Sequence, residues 1–348
     1  MIEIKSLHPV KGYLESRIGG RPENQDACSY QDTPLGLLVL VCDGMGGVNG
    51  GSTASSMAVQ SIISEIMGCE QTVDPVLAIT DAVNHANEAI IQAGLQNPSL
   101  AGMGTTLTLL LLTDLCAYTT YVGDSRIYQL RGKEKVYRSF DHSVVFQLVR
   151  QGVITEEQAR LSSQSNIIMQ ALGVKANLDF IVEQLPYESG DRFILCTDGY
   201  WGSMSEPVFL AKMSARKDPA RIVHETVLEI DGKGAAKGGN HDNLTVAFVE
   251  VQCDSILKPN MNKKAKIIIA SVAFALVISL VLNIVQLSRK PDPDADKTRE
   301  ELIHERDSLS QCVENLKSLT ESMEVAAKEN ETMIKELTGK VAELEKAK

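Results

Sequence analysis

The first 255 residues contain both short apolar runs and longer amphipathic segments. Four runs rich in aliphatic and β-branched residues predict strands, at 104–112, 116–123, 192–199 and 243–251. Apolar positions three and four residues apart predict helices, at about 51–67, 75–94, 142–151 and 205–229. Because strands and helices cluster rather than strictly alternate, the pattern predicts a single α+β layered domain over residues 1–255. A glycine-rich stretch at 231–240 predicts a mobile loop.

Beyond this domain the pattern changes to one long apolar run. Residues 267–287 are an uncharged stretch of 21 residues, which at about 1.5 Å per residue crosses a hydrocarbon layer of about 30 Å. The alternative is a buried core helix. A basic linker at 256–266 precedes the run, and an acidic, proline-rich linker at 288–298 follows it. The positive-inside rule predicts a single-pass membrane protein with a cytoplasmic N-terminal domain and the C-terminal tail on the other side.

The tail, residues 299–348, carries a seven-residue repeat. Leu, Leu, Leu, Met, Asn, Leu and Leu occupy positions 302, 309, 316, 323, 330, 337 and 344. This spacing predicts a coiled coil and favours a homodimer. Two second rows, one beginning at Cys312 and one at Val313, complete the seam equally well, so the register is open. The alternative is a solitary amphipathic helix that lies on a membrane or on another protein.

Charge and cysteine content narrow the class of protein. With 34 basic and 45 acidic residues and a net charge of −11, the chain has no general attraction for nucleic acid, so we expect no nucleic-acid partner. The seven cysteines form no CxxC pair and no zinc-like spacing, which predicts free thiols in a reducing compartment. Cys42 and Cys196 stand within strand runs, and we expect them to be buried rather than nucleophilic.

Aspartates recur where predicted strands end or begin. Asp43 in "VCDGMGG" and Asp198 in "CTDG" each end an apolar run, and Asp124 in "VGDSR" and Asp242 in "HDNLTV" stand just before or after other runs. A fifth acid, Asp26, lies in "RPENQD". Strand ends converge at one edge of a sheet, so these acids can meet in space. Gathered carboxylates repel one another unless cations neutralise them, and a set of oxygen ligands favours Mn²⁺ or Mg²⁺ over zinc.

The ordered motifs resemble a known family. "RPENQD", "VCDGMGG", "GMGTTLT", "VGDSR", "DHS", "CTDG" and "HDNLTV" follow one another within residues 13–252, as in the metal-dependent protein phosphatases of the type 2C class. This resemblance implies a four-layer α-β-β-α sandwich and hydrolysis of phosphoserine and phosphothreonine by a water that bridges two Mn²⁺ or Mg²⁺ ions. Phosphoproteins would be the substrates, and a Ser/Thr kinase would oppose the enzyme.

The resemblance also implies a set of metal ligands. Asp43 would bridge two ions, and the carbonyl of Gly44 would ligate one of them. Asp198 and Asp242 would hold the other ion. Asp124, together with Asp198, looks like the place where some bacterial members bind an additional ion.

Two further roles follow from the resemblance, together with one departure. Arg21 matches the arginine that grips the substrate phosphate, and Asp26 would orient metal-bound water. Met45 stands where many eukaryotic relatives have a histidine proposed to protonate the leaving group. Metal-bound water, His241 or His142 could donate that proton, or the alkoxide could leave with little help.

A non-enzymatic reading remains as an alternative. A catalytically silent pseudophosphatase could bind a phosphoprotein without cleaving it and signal through its coiled coil. Asp43, Asp198 and Asp242 are all present, which argues against this alternative, because a binding module has no reason to keep uncompensated acids together.

Overall fold

The computed structural model describes residues 1–162, 164 and 167–257. The predicted span at 267–287, the linker at 288–298, the coiled coil at 299–348 and all but the first two residues of the basic linker lie outside the described residues. Within the described ranges, no helix is both long enough and apolar enough to cross a membrane.

Two antiparallel sheets form the centre of the domain. One sheet has the strand order β1-β2-β12-β11-β8-β9, and the other has the order β10-β7-β6-β4-β3, with the two-residue β5 paired to β4. The strands are β1 (Ile2–Ile4), β2 (Val10–Arg17), β3 (Asp26–Thr33), β4 (Gly36–Met45), β5 (Gly104–Thr105), β6 (Leu107–Leu112), β7 (Ala117–Val122), β8 (Arg126–Arg131), β9 (Glu134–Arg138), β10 (Glu183–Leu185), β11 (Arg192–Cys196) and β12 (Leu244–Val251).

Helices cover the outer face of each sheet. They are α1 (Gly47–Met67), α2 (Pro75–Gln96), α3 (Val144–Arg150), α4 (Glu156–Arg160), α5 (Asp198–Trp201), α6 (Glu206–Met213) and α7 (Pro219–Ala236), with a short 3₁₀ helix at Pro98–Leu100. Helices α1 and α2 pack on the sheet that contains β4, and residues of α3 to α7 pack on the sheet that contains β11.

Alternation along the strands explains why the domain has four layers. In β4, Leu38 and Leu40 pack against α1 and α2, whereas Val39 and Val41 face the other sheet. Strand β11 alternates in the same way, with Ile194 toward the helices and its neighbours toward the facing sheet. Strands that are buried on both faces need a layer on each side. The α+β prediction is therefore confirmed, and the layers run helix, sheet, sheet, helix.

Two helix predictions need correction. The single helix predicted over 205–229 is two helices, α6 and α7. The Asp218 side chain accepts a hydrogen bond from the Ala220 amide, and Pro219 occupies the first turn of α7, where its missing N–H is no loss. The helix predicted over 142–151 is the shorter α3, because Ser143 caps its N-terminus.

The predicted mobile loop at 231–240 is also wrong over most of its length. Helix α7 continues to Ala236, so only residues 237–240 lie beyond it. Packing explains a glycine within this helix, because a Cβ on Gly234 would lie 2.2 Å from Cγ of His241. Composition alone suggested a loop, but the buried face of the helix, which ends at Ile230, anchors the segment.

Candidate active site

Five aspartates gather at one edge of the sandwich. Asp26 and Asp43 are direct partners across β3 and β4. On the other sheet, Cys196 at the end of β11 pairs with Val246 of β12 and with Arg126 of β8. Three acids lie two residues beyond these strand ends: Asp198 after β11, Asp242 before β12 and Asp124 before β8. The sheet register thus brings acids from five separate segments to the same edge, as the sequence predicted.

A cavity of about 760 Å³ opens at this edge. The predicted site residues that line it are Arg21, Asp43, Gly44, Asp124, Asp198 and Asp242. Asp26 is half-buried beside them, and its carboxyl interacts electrostatically with those of Asp198 and Asp242. Met45 and Ile168 add apolar surface to the lining.

Two threonines hold the backbone of Asp43. Thr106 accepts a hydrogen bond from the Asp43 amide at 2.9 Å through its hydroxyl oxygen, and its own amide donates to the Asp43 carbonyl at 2.8 Å. The Thr105 hydroxyl donates to the same carbonyl at 2.9 Å. The motif "GMGTTLT" therefore positions the acid in the middle of the cluster, a role that the sequence pattern did not predict.

Close backbone approach explains why a glycine follows two of the acids. A Cβ on Gly44 would lie 2.1 Å from the carbonyl oxygen of Gly51, and one on Gly199 would lie 2.1 Å from that of Asn243. No side chain fits at either position without moving the backbone of a neighbouring segment. The repeated Asp-Gly pair is thus a packing requirement of this edge.

Asn243 ties the loop with Arg21 and Asp26 to the start of β12. Its side-chain NH₂ donates to the carbonyls of Ile18 at 2.8 Å and Glu23 at 3.0 Å, and its side-chain oxygen accepts from the Gln25 amide at 2.8 Å. Sequence reasoning did not single out this residue. Its position directly after Asp242, at the start of a strand, was the available signal.

Four of the five acids have a raised pKa. Burial, followed by repulsion from the neighbouring acids, raises the pKa of Asp43 and Asp124 well above the usual range. Burial raises the pKa of Asp26 to about 7 and that of Asp198 to about 6, with nearby carboxylates adding to both shifts. Interaction with the Asp43 side chain partly offsets the rise in the pKa of Asp198. The acids are thus close enough to affect one another's charge.

Within the cluster of five aspartates, two buried carboxylate oxygens have no hydrogen-bond partner. These are Oδ1 of Asp26 and Oδ1 of Asp124. The other oxygen of Asp26, Oδ2, accepts a hydrogen bond from the Thr197 hydroxyl at 3.1 Å. Unpaired oxygen atoms in a buried acidic cluster suit hard divalent cations such as Mn²⁺ and Mg²⁺.

The cluster is not yet a closed coordination sphere. Among the described residues, no group of three or more His, Cys, Asp and Glu side chains converges on a single metal position. The acids nevertheless lie together at one cavity, burial and then mutual repulsion raise the pKa of Asp43 and of Asp124, and two of the cluster's oxygens are unpaired. The donor set therefore fits divalent cations, although the side chains must draw together to coordinate them.

Arg21 is the one cationic side chain among the described residues that line the cavity. One of its terminal nitrogens donates to Oδ2 of Asp242 at 2.9 Å, and 45% of the side chain is exposed. The rest of its planar set of donors is therefore accessible at the mouth of the cavity. A guanidinium in this position can bind two oxygens of a phosphate group.

Neither histidine proposed from the sequence as a proton donor lines the cavity. Nε2 of His241 is hydrogen-bonded to Oδ1 of Asp231 at 2.8 Å. His142 stacks on Tyr121, and its Nδ1 accepts from the Gly123 amide at 3.3 Å. Burial lowers the pKa of His142. The two imidazoles thus have structural contacts of their own, which leaves the other two options for the leaving group.

The cysteines next to the acids are structural, as predicted. Cys42 and Cys196 are fully buried, and burial raises the pKa of both thiols. A buried neutral thiol is a poor nucleophile. Attack on phosphorus by either cysteine is therefore not supported.

Comparison with known proteins agrees with this site. The family model described as protein phosphatase 2C matches residues 15–229. The protein phosphatase PhpP of Streptococcus pneumoniae is 32% identical over 236 residues, which are 66% of this chain and 93% of PhpP.

Solved structures show the same fold. The serine/threonine phosphatase of S. agalactiae has 30% sequence identity and a TM-score of 0.61, with 70% of this chain and 100% of that chain covered. The catalytic domain of the phosphatase PstP, in complex with two manganese ions, has 28% identity and a TM-score of 0.58, and 71% of this chain and 99% of that chain are covered.

The chain belongs to the protein phosphatase 2C family. The prediction of an enzyme, a protein serine/threonine phosphatase, is confirmed at the level of this family. The pseudophosphatase alternative is not favoured by these relatives.

Proposed function

We propose that this protein hydrolyses phosphoserine and phosphothreonine in proteins at the acidic cavity, with Mn²⁺ or Mg²⁺ as its cofactor. The observation that carries the proposal is the collection of five buried or half-buried aspartates, two with an unpaired oxygen, beside one accessible arginine. A relative whose solved structure contains two manganese ions supports the choice of metal.

The metal ligands of the proposal are those that the family resemblance implies. Asp43 and the Gly44 carbonyl, together with Asp198 and Asp242, would hold two ions, and Asp124 would take part in holding an additional one. When bound, the ions supply a nucleophilic water at neutral pH and positive charge beside the phosphoryl oxygens.

The chain's own groups bind and orient the reactants. Arg21 binds phosphoryl oxygens with the donors that face the cavity mouth, while Asp242 fixes one end of its guanidinium. Asp26, held through Oδ2 by Thr197, has Oδ1 free to accept a hydrogen bond from water and so to orient it. Asn243 keeps the loop that carries both residues against the sheet. Met45 has no proton to give, so a water molecule protonates the leaving oxygen, or the alkoxide leaves with little help.

The substrate class can be tested with matched phosphopeptides. The full chain, supplied with Mn²⁺, is incubated with one peptide sequence that carries phosphoserine, phosphothreonine or phosphotyrosine at the same position, and the released phosphate is measured. We expect hydrolysis of the first two peptides and at least about tenfold slower hydrolysis of the third. Equal rates on all three peptides would contradict a serine/threonine phosphatase.

The rest of the chain adds a proposal about location that the sequence pattern alone supports. Residues 267–287 would anchor the enzyme in a membrane as a single span, with the phosphatase domain on the cytoplasmic side and the tail 299–348 on the other side as a coiled-coil homodimer. A Ser/Thr kinase would supply the phosphoproteins. Membrane fractions washed with alkaline carbonate should retain the full chain. Release of the protein into the wash would argue against a spanning segment.

Dimerisation of the tail has its own test. Cys312 faces its partner in one of the two registers, so oxidation should give a disulfide-linked dimer in that register. The variant Cys312→Ser should remain uncrosslinked. A monomeric full chain in detergent would contradict the coiled-coil homodimer in either register.

A further inference from the structure

One indole joins the two segments that carry Asp124 and Asp198. Trp201, the only tryptophan of the chain, ends helix α5, which begins at Asp198. Its Nε1 donates a hydrogen bond to the carbonyl of Asp124 at 3.0 Å. The turn between β7 and β8 is thereby tied to the helix whose first residue is the other acid.

A buried ion pair packs against the face of the indole ring. Cζ of Arg126 lies 3.3 Å from the centroid of the Trp201 ring. The same guanidinium donates to both oxygens of Asp141, at 2.8 Å and 2.7 Å, and to the Tyr128 hydroxyl at 3.1 Å. Both side chains of the pair are at most 4% exposed. A bidentate ion pair stacked on an aromatic face has little freedom to move, so the indole is fixed in one orientation.

The position of the Asp124 carboxylate depends on the contacts that hold its backbone. Its Oδ1 has no hydrogen-bond partner, so no bond to that oxygen fixes the side chain. The turn that presents it includes Gly123, with φ of +99°. Further contacts of the turn run from Gly123 to His142 and from the Ser125 hydroxyl to that of Thr106 at 2.7 Å. Besides the pairing of Cys196 with Arg126 in the sheet, the Trp201 bond connects the turn to the segment of Asp198.

We propose that Trp201, held by the Arg126–Asp141 pair, is a positioning residue that sets the Asp124 backbone relative to Asp198 and so determines how tightly these two acids bind a shared cation. The alternative is that Trp201 only fills the core. The inference rests on the proposed metal dependence, because it concerns the affinity of one ion. Groups outside the ligand set that orient metal ligands commonly change metal affinity by about 10- to 100-fold when they are altered.

The test is Mn²⁺ binding to the full chain without substrate, measured by calorimetry. Trp201→Phe keeps an aromatic ring against Arg126 and removes the indole N–H. Tyr200→Phe is the matched control, because it removes a polar hydrogen from the neighbouring residue of the same helix, whose hydroxyl contacts Sδ of Met213 rather than Asp124. We expect Trp201→Phe to weaken the binding of one Mn²⁺ ion by about tenfold, with the remaining binding unchanged and Tyr200→Phe equal to the wild type.

A second variant and a second measurement test the inference further. Arg126→Lys retains the charge but loses the bidentate contact with Asp141, and it should weaken the same ion. In phosphopeptide hydrolysis, a raised Mn²⁺ concentration should restore the rate of Trp201→Phe, since only occupancy has changed. Equal Mn²⁺ binding by Trp201→Phe and the wild type would overturn the inference. Equal losses of Mn²⁺ affinity in Trp201→Phe and Tyr200→Phe would also overturn the inference, because they would show that any change in this part of the core weakens Mn²⁺ binding.

The wild type separates this inference from the proposed function. If the wild type binds no Mn²⁺, the proposed metal dependence fails, and the inference fails with it. If the wild type binds Mn²⁺ and hydrolyses phosphopeptides while Trp201→Phe binds Mn²⁺ equally well, only the inference fails.

Discussion

Asp26 and Asp43 face each other directly across the antiparallel strands β3 and β4. Like charges in directly opposite cross-strand positions destabilise a sheet, and here both residues are also half-buried among further acids. Nothing in the packing of the sheet requires carboxylates at these positions. The pair therefore indicates a site whose acids are kept for binding positive charge.

The stability of the metal-free protein should rise as the pH falls. The pKa of Asp26 is about 7 and that of Asp198 about 6, both above the ordinary value near 4 in an unfolded chain. The folded state therefore takes up protons at a higher pH than the unfolded state does, and repulsion is relieved between about pH 8 and about pH 5. Urea unfolding in EDTA across this range should show an increasing free energy of unfolding.

The control for this trend is Asp26→Asn, whose free energy of unfolding should change less steeply with pH than that of the wild type. Burial lowers the pKa of His8 and His142, and below about pH 6.5 both histidines act in the opposite direction. They are present in the variant and in the wild type, so the difference between the two proteins isolates the acid. Identical slopes would contradict the raised pKa of Asp26.

Replacing the central acid should separate activity from stability. Asp43→Asn keeps the shape of the side chain and its backbone bonds to Thr105 and Thr106, but it removes a proposed metal ligand. We expect hydrolysis to fall by at least about a hundredfold. In EDTA the variant should be more thermally stable than the wild type, since one repelling charge is gone. Glu88→Gln, an exposed acid of α2, should change neither quantity.

A destabilised Asp43→Asn protein would show that the Asp43 carboxylate supports the fold. Retention of substantial metal-dependent activity would show that Asp43 is not the bridging ligand. Either result would move the assignment to another acid of the cluster.

Arg21 should act on substrate binding. Arg21→Ala removes the accessible guanidinium, and loss of charge-assisted hydrogen bonds should lower kcat/KM for a phosphopeptide by about 10- to 100-fold, chiefly through KM. Arg21→Lys keeps the charge without the planar set of donors, so it should recover only part of the loss. A lysine variant equal to the wild type would argue against bidentate binding of phosphate, and an alanine variant equal to the wild type would remove Arg21 from the site.

Thiol reagents should leave the enzyme active. Cys42 and Cys196 are fully buried with raised thiol pKa values, so they react slowly and take no part in the chemistry. Incubation of the folded protein with iodoacetamide should leave the rate of phosphopeptide hydrolysis unchanged. Inactivation that phosphate prevents would indicate a cysteine at the reacting phosphorus and would contradict the metal-dependent mechanism.

The sequence predicted four of the acids from their places beside apolar runs, whereas Asp26 begins the largely polar strand β3 and was recognised from the motif "RPENQD". Asp43 and Asp198 follow such runs directly, and the register of antiparallel strands then determines where they meet. The α+β class followed from the same runs. These features depend on local pattern and on sheet geometry, both of which can be predicted from one chain.

Other features depend on contacts between distant segments and could not be predicted. The break between α6 and α7 depends on a cap at Asp218, within a segment whose apolar period continues across it. The role of Asn243 arises from carbonyls of Ile18 and Glu23, more than 200 residues earlier. Arg126 and Asp141 are 15 residues apart in the chain, and their pairing beside Trp201 appears only in three dimensions.

The most direct test of the central claim is the metal dependence of phosphopeptide hydrolysis by the purified full chain. A phosphothreonine peptide is incubated with Mn²⁺, with Mg²⁺ or with EDTA, and the Asp198→Asn variant is run beside the wild type. We predict turnover with either ion, none in EDTA, and recovery when Mn²⁺ is added back, with the variant at least about a hundredfold slower under every condition. Turnover in EDTA equal to that in Mn²⁺, or full activity of a folded Asp198→Asn protein, would contradict a metal-dependent phosphatase at this cluster.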